Sequence, residues 1–288
     1  MKSASPLLLR SVVPILLLSA SSGAIAASES DADLPLWEVG IAGIGAYVPD
    51  YPASGHSQFT GFGLPIVTYR GDLFLFSADS DGVQGAFQIN DRTTLTLGLD
   101  AAFSANSKDN AQRRGLPDLD YLVEIGPSLE YRFWEDGDRR LTAIAQVRAA
   151  FAVDTDRFDY TGVAVEPQIV YTQDTFLLPD LQLTLGLSSK FAYDGLNQYF
   201  YDVAPQFATA DRGAYRAHDG YQQTALSTKL FLPVSPRLSV FALGQLLYDD
   251  GATNENSPLY REDFTYAVGL GLAYSLFVSE RTAGDAHH

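Results

Sequence analysis

The chain has 288 residues, 46% of them hydrophobic and 12% aromatic, with 24 glycines and no cysteine; its mean hydropathy is −0.02. The 19 Lys+Arg against 35 Asp+Glu give a formal charge of −16, which excludes broad nucleic-acid binding, because that needs a basic stripe. The absence of cysteine excludes a disulfide scaffold, thiolate zinc sites and a cysteine nucleophile.

Lys2 and Arg10 flank an apolar run at 12–18 that passes through Ser19 to Ser22 and ends in Ala24-Ile25-Ala26. Basic, apolar and then small-x-small is the order of a secretory signal peptide over 1–26, cleaved after Ala26 or Ala27. A retained anchor is the alternative, disfavoured by Pro14 and the Ser/Gly run. Cleavage removes Lys2 and Arg10 and takes the charge from −16 to −18. Residues 27–35 then form a short periplasmic segment, 36–277 the folded body, and 278–288 a tail expected to hang in the periplasm.

From residue 36 onward apolar residues recur with period two, the mark of strands. The expected spans are 36–48, 59–69, 72–78, 83–90, 93–104, 120–134, 140–153, 162–173, 181–193, 220–233, 237–249 and 263–277. In the last, Phe264, Tyr266, Val268, Leu270, Leu272, Tyr274 and Leu276 share one face, while Thr265, Ala267, Gly269, Gly271, Ala273 and Ser275 share the other. A helix would mix the two sets around its circumference. The segments at 72–78 and 83–90 are shorter than the roughly 9–11 residues of a tilted spanning strand, so ten or fourteen strands stay open beside twelve.

Connections alternate in length. Short ones at 69–72, 90–92, 135–138, 178–180 and 234–236 carry turn residues, and longer polar ones lie at 49–58, 105–120, 154–161, 194–220 and 249–262. Short turns at one end and long loops at the other describe an all-β, closed, up-and-down antiparallel transmembrane barrel of about twelve strands, in the outer membrane of a Gram-negative bacterium. Closure is required because an open sheet edge in lipid would leave amides and carbonyls unpaired. Trp37, Tyr47, Tyr69, Tyr121, Phe133, Trp134, Tyr171, Tyr193, Tyr248, Tyr266 and Phe277 near strand ends are candidates for the two aromatic girdles. A soluble β-sandwich or lipocalin-like barrel would also alternate, but its outer face would carry far more Lys and Glu.

By the same period Asp100, Glu124, Glu130, Arg132, Arg148, Glu166 and Lys190 oppose the apolar face and should point into the lumen. They form either a salt-bridged plug or the lining of a polar pore. His218 beside Asp219 could orient a serine nucleophile such as Ser227, but neighbours on an extended chain face opposite ways, so no triad is expected. The acids of 154–159 lack the glycine and terminal glutamate of a calcium loop and are read as a solvated loop near lipopolysaccharide-bound cations. No cofactor, metal or catalytic residue is expected.

Several stretches resemble the MltA-interacting protein (MipA/OmpV) family of Gram-negative outer membranes. They are Trp37 to Gly43, Tyr51-Pro52-Ala53-Ser54, Leu64 to Asp72, Tyr199-Phe200-Tyr201-Asp202-Val203, Ala214 to Gly220 and Asn256-Ser257-Pro258-Leu259-Tyr260-Arg261. The family-like loop positions are Tyr199, Tyr201, Tyr215, Gly220, Ser257 and Pro258; Asp202 departs from the pattern by standing where a glycine is expected. The resemblance implies an outer-membrane barrel embedded among lipid and lipopolysaccharide. It also implies a non-enzymatic scaffold joining a periplasmic lytic transglycosylase to a murein synthase in peptidoglycan biosynthesis. Other relatives look like adhesins or surface antigens, and a small-solute channel is the rival role for any such barrel.

Overall fold

A computed structural model describes residues 35–70, 75–79, 82–102, 107–154 and 156–282. The expected signal peptide, residues 27–34, and His287 and His288 lie outside them. Twelve strands follow in order: β1 Trp37–Pro49, β2 Ser57–Arg70, β3 Leu75–Asp79, β4 Gly82–Asn90, β5 Thr93–Ala102, β6 Tyr121–Asp136, β7 Arg139–Val153, β8 Phe158–Gln173, β9 Gln182–Tyr193, β10 Gly220–Ser235, β11 Leu238–Tyr248 and β12 Phe264–Val278. Each pairs antiparallel with its sequence neighbour, and β12 returns to β1 through Glu38–Val278 to Tyr47–Val268, closing the barrel. The closed ring gives every strand two hydrogen-bonded neighbours and leaves no edge.

Burial is inverted relative to a soluble protein. Along β6 the buried residues are Leu122, Glu124, Gly126, Ser128, Glu130 and Arg132, polar or small beyond the first, while Ile125, Leu129, Tyr131 and Phe133 are exposed. In β12 Thr265 and Ala267 are buried and Tyr266, Val268, Leu270 and Leu272 exposed. An apolar belt facing out and polar residues facing in suits a wall with lipid outside. At the short-turn end the belt finishes in exposed Trp37, Tyr69, Phe133, Trp134 and Phe277; at the other end it finishes in Tyr193, Tyr248 and Tyr266. Tyr47 sits between Phe59 and Tyr266, 5.5 and 5.9 Å away by ring centroids.

Two local differences from the sequence expectation have physical causes. β8 starts at Phe158, not 162, because Phe158 and Tyr160 pack on Phe151 of β7, with the Phe151–Phe158 ring centroids 4.6 Å apart. The pairing shifts register at Ala150/Phe151 to admit this extension, and such a shift breaks the period that sequence reading follows. The first residues after β12 do not hang loose either. Leu36 N donates to Arg281 O at 2.8 Å, Ser279 N donates to Trp37 O at 2.9 Å, and Pro35 bridges Thr282, so residues 279–282 lengthen the β1–β12 seam.

Candidate functional site

The long loops all leave the same end of the barrel, which the rule for such barrels makes the outer face. They fold inward and pack on one another. The 194–219 loop enters through a short helix, α1 Leu196–Tyr201, lying against the inner walls of β8 and β9. Its way is clear because the wall there is small: Ala150, Ala164 and Ala192 come from three adjacent strands and are fully buried under Leu196 and Phe200. Gly162 allows the helix to approach the wall. A Cβ on it would lie 2.4 Å from the Tyr193 carbonyl and 2.5 Å from the Leu196 amide, and its φ of 147° is one that side chains resist.

On this floor a single apolar cluster forms from four loops: Tyr51 from the β1–β2 loop, Leu116 and Leu119 from β5–β6, Leu196, Phe200, Tyr201, Val203 and Ala217 from β9–β10, and Leu259 from β11–β12. Buried and half-buried hydrogen bonds stitch it. The Tyr51 hydroxyl donates to Leu259 O at 2.8 Å, that of Tyr201 to Pro52 O at 3.0 Å, that of Ser257 to Tyr201 O at 2.9 Å, and that of Tyr199 to Asp120 O at 2.9 Å. Tyr215 pairs with Val203 through both backbone bonds and donates its hydroxyl to Asn254 Oδ1 at 3.2 Å. Gly220, at φ 141°, lets Thr253 come within 2.4 Å of where a Cβ would be. Pro258 stands half-buried between buried Ser257 and Leu259. The family-like loop positions therefore meet in one cap over the mouth.

Asp202 needs no glycine backbone: its φ is −67° with ψ 136°, and its carboxylate accepts the Ala217 amide at 2.7 Å. His218 contributes backbone alone to these contacts, its carbonyl accepting from Asn197 and Asn254 and its amide donating to Asn254.

Several cap residues carry no signal in the sequence. Arg113 donates to Phe200 O at 3.0 Å and Pro117 O at 3.1 Å, with its guanidinium 5.6 Å from the Tyr51 ring centre. Arg212 donates to Gln112, Arg114 and Phe207 carbonyls. Asn110 bridges Asp50 and Ser54. These side chains close the backbone polar groups of irregular loops, a service with no periodicity to reveal it. Burial pushes the Tyr51 hydroxyl up to about 12 and pulls the Arg113 guanidinium down, while each partly offsets the other's shift.

Asp249, just after β11, is the least satisfied member. It is fully buried, and neither carboxylate oxygen makes a hydrogen bond of normal geometry among the described residues. Burial pushes its carboxyl up to about 7 and nearby Asp263 adds to that, with the Ala53 amide pulling the other way. Ala53 itself is held at φ 57° while its carbonyl accepts the amides of Arg261 and Glu262.

Below the cap the lumen holds ion pairs on four adjacent strands. Lys190 Nζ of β9 lies 2.5 Å from Glu124 Oε1 of β6, and Arg148 of β7 lies 3.8 Å from both Glu124 and Glu166 of β8. Arg148 also bonds Gln146, which accepts from Gln168 at 2.9 Å. Glu130 accepts from Thr96 at 3.2 Å, and Arg132 turns to Glu135 and the Asp91 carbonyl near the opposite rim. Asp100 is in register with Glu124 on β5, and its side chain lies outside the described residues. Among the described residues no three His, Asp or Glu side chains are grouped to hold a metal.

A family model described as MltA-interacting protein MipA matches residues 41–276. Comparison with curated proteins found no match. Among solved structures the chain is similar to a bacterial polysaccharide outer membrane secretin, at 11% identity and a TM-score of 0.38 over 84% of this chain and 99% of that one. It is similar to outer membrane phospholipase A from Escherichia coli at 11% and 0.34 over 86% and 97%. Against the Escherichia coli outer membrane protease OmpT the values are 11% and 0.30 over 85% and 97%. Likenesses this loose bring no activity with them.

Proposed function

Because the chain belongs to the MltA-interacting protein MipA family, we infer that this outer-membrane β-barrel is a non-enzymatic scaffold, holding a lytic transglycosylase and, through it, a murein synthase at its periplasmic rim. The family match across nearly the whole barrel carries the reading. The geometry favours it over a small-solute channel: loops pack into an apolar cluster at the outer mouth, and ion pairs line the wall of β6 to β9 beneath. A barrel filled at its mouth has its periplasmic rim left for binding. An adhesin would instead use the outer face of the cap.

Pull-down of the detergent-solubilised barrel with a purified lytic transglycosylase is the test. Enrichment above an unrelated barrel is expected, and none would remove the scaffold. Planar-bilayer recording separates the rival, since steady conductance through well-folded protein would favour the channel.

A further inference from the structure

The periplasmic turns are not alike. Those joining β4–β5, β6–β7 and β10–β11 take two residues, whereas β8–β9 takes eight, 174–181. At its tip Leu177 is 83% exposed and Leu178 55%, followed by Pro179. Leu177 has φ 61°, and Leu178 N donates to Phe176 O at 2.6 Å, which is a three-residue γ-turn of the strained hand. Glycine would hold that backbone without strain, so leucine costs stability there.

The base of the turn is braced. Asp174 accepts Arg140 at 2.7 Å and Gln182 at 2.8 Å, its amide donates to Asp138 O at 2.9 Å, and Phe176 N donates to Leu181 O at 2.8 Å. A strained apolar tip presented to water on a rigid base gains nothing for the barrel itself.

We propose that Leu177-Leu178-Pro179 is the knob on which the periplasmic protein partner docks, entering an apolar pocket with a basic rim. This rests on the scaffold reading above. The charge around the knob selects a protein over lipid. On the β6–β7 and β8–β9 hairpins Arg140 is engaged by Asp174, Arg139 lies 3.8 Å from Asp138 and Arg132 lies 3.3 Å from Glu135, leaving exposed Asp136 and Asp180 as the surplus against the single exposed Arg237 of the β10–β11 turn. An anionic phospholipid surface repels that rim, whereas a basic protein rim is drawn to it.

The test measures binding of a purified lytic transglycosylase, freed of any lipid anchor, to the full barrel in nanodiscs. Leu177→Gly with Leu178→Asn is expected to weaken binding about tenfold or more, as loss of a central anchor does. Its heat-modifiable migration should stay that of the wild type, because glycine suits φ 61°. Asp180→Asn, which keeps the backbone, should weaken binding a few-fold and flatten its salt dependence. Unchanged affinity in the double variant overturns the knob and leaves the scaffold standing; a wild type that binds nothing overturns both. The chain has no cysteine, so Leu178→Cys offers a unique label. It should react readily with a charged maleimide in anionic nanodiscs and be protected by the transglycosylase. Protection by lipid alone would assign the tip to the membrane and end the proposal.

Discussion

The Tyr201 hydroxyl donates to the carbonyl of Pro52 at 3.0 Å across 149 residues of sequence, while the Tyr201 carbonyl accepts from Ser257 at 2.9 Å. One buried residue on α1, through its hydroxyl and its carbonyl, thus ties the β1–β2, β9–β10 and β11–β12 loops together. Removing the hydroxyl leaves the Pro52 carbonyl without that donor. Tyr201→Phe is expected to cost about 1–2 kcal/mol. Urea unfolding in micelles should show the loss, together with faster proteolysis of the outer loops.

Asp249 makes the cap sensitive to pH. Its carboxyl stands at about 7 in the folded cap against an ordinary value of about 4. A raised carboxyl favours the protonated form in the closed state, so its stabilising effect is full below about pH 4, is lost as pH rises toward 7, and changes no further above that. The groups facing it are Tyr201 on α1, with Asp263 and Tyr260 in its own loop. Amide-exchange protection of the cap should fall between pH 4 and 7 in the wild type. Asp249→Asn, neutral and nearly isosteric, should flatten that profile. A profile unchanged by the substitution would show that Asp249 is not its source.

In the lumen Glu124 faces two cations. Glu124→Gln takes the 2.5 Å carboxylate from Lys190 and one of its two carboxylates, Glu124 and Glu166, from Arg148, for an expected loss on the order of 3 kcal/mol. Glu124→Gln combined with Lys190→Met restores a one-to-one pair of Arg148 and Glu166 and should lose less than the two single changes summed. Equilibrium unfolding of the four proteins of this cycle measures the coupling.

At Gly162 the wall and the cap touch backbone to backbone. Gly162→Ala places a methyl against the Tyr193 carbonyl and the Leu196 amide at φ 147°, and should cost at least about 2 kcal/mol. The folded fraction, read from heat-modifiable migration, should drop, and α1 should become the first site cut by protease. An unaltered folded fraction and cutting pattern would show that α1 does not depend on this contact.

The wall was legible from the residues because lipid on one side and the lumen on the other impose a period of two. Glu124 and Ile125, or Thr265 and Tyr266, already differ in the way their surroundings require. The weak segments at 72–78 and 83–90 emerged as β3 and β4, the first with five described residues, because closure of the ring demands a partner for β2 and β5. The start of β8 was not legible, since the register shift at Ala150/Phe151 breaks the alternation there.

The loops followed no such rule. Tyr199, Tyr201, Tyr215, Gly220, Ser257 and Pro258 stood out only through the family resemblance, and nothing in their spacing said that they meet. Arg113, Arg212, Asn110 and Asn254 did not stand out at all, and Asp249 read as one acid among 35. Alternation and turn chemistry determined a barrel and its two faces, because those follow from local geometry and solvent on each side. The cap, its buried carboxyl and the strained Leu177 were decided by the tertiary structure. Each depends on groups that are distant in sequence and become neighbours only when the ring of strands closes, or on a backbone angle that no residue type announces.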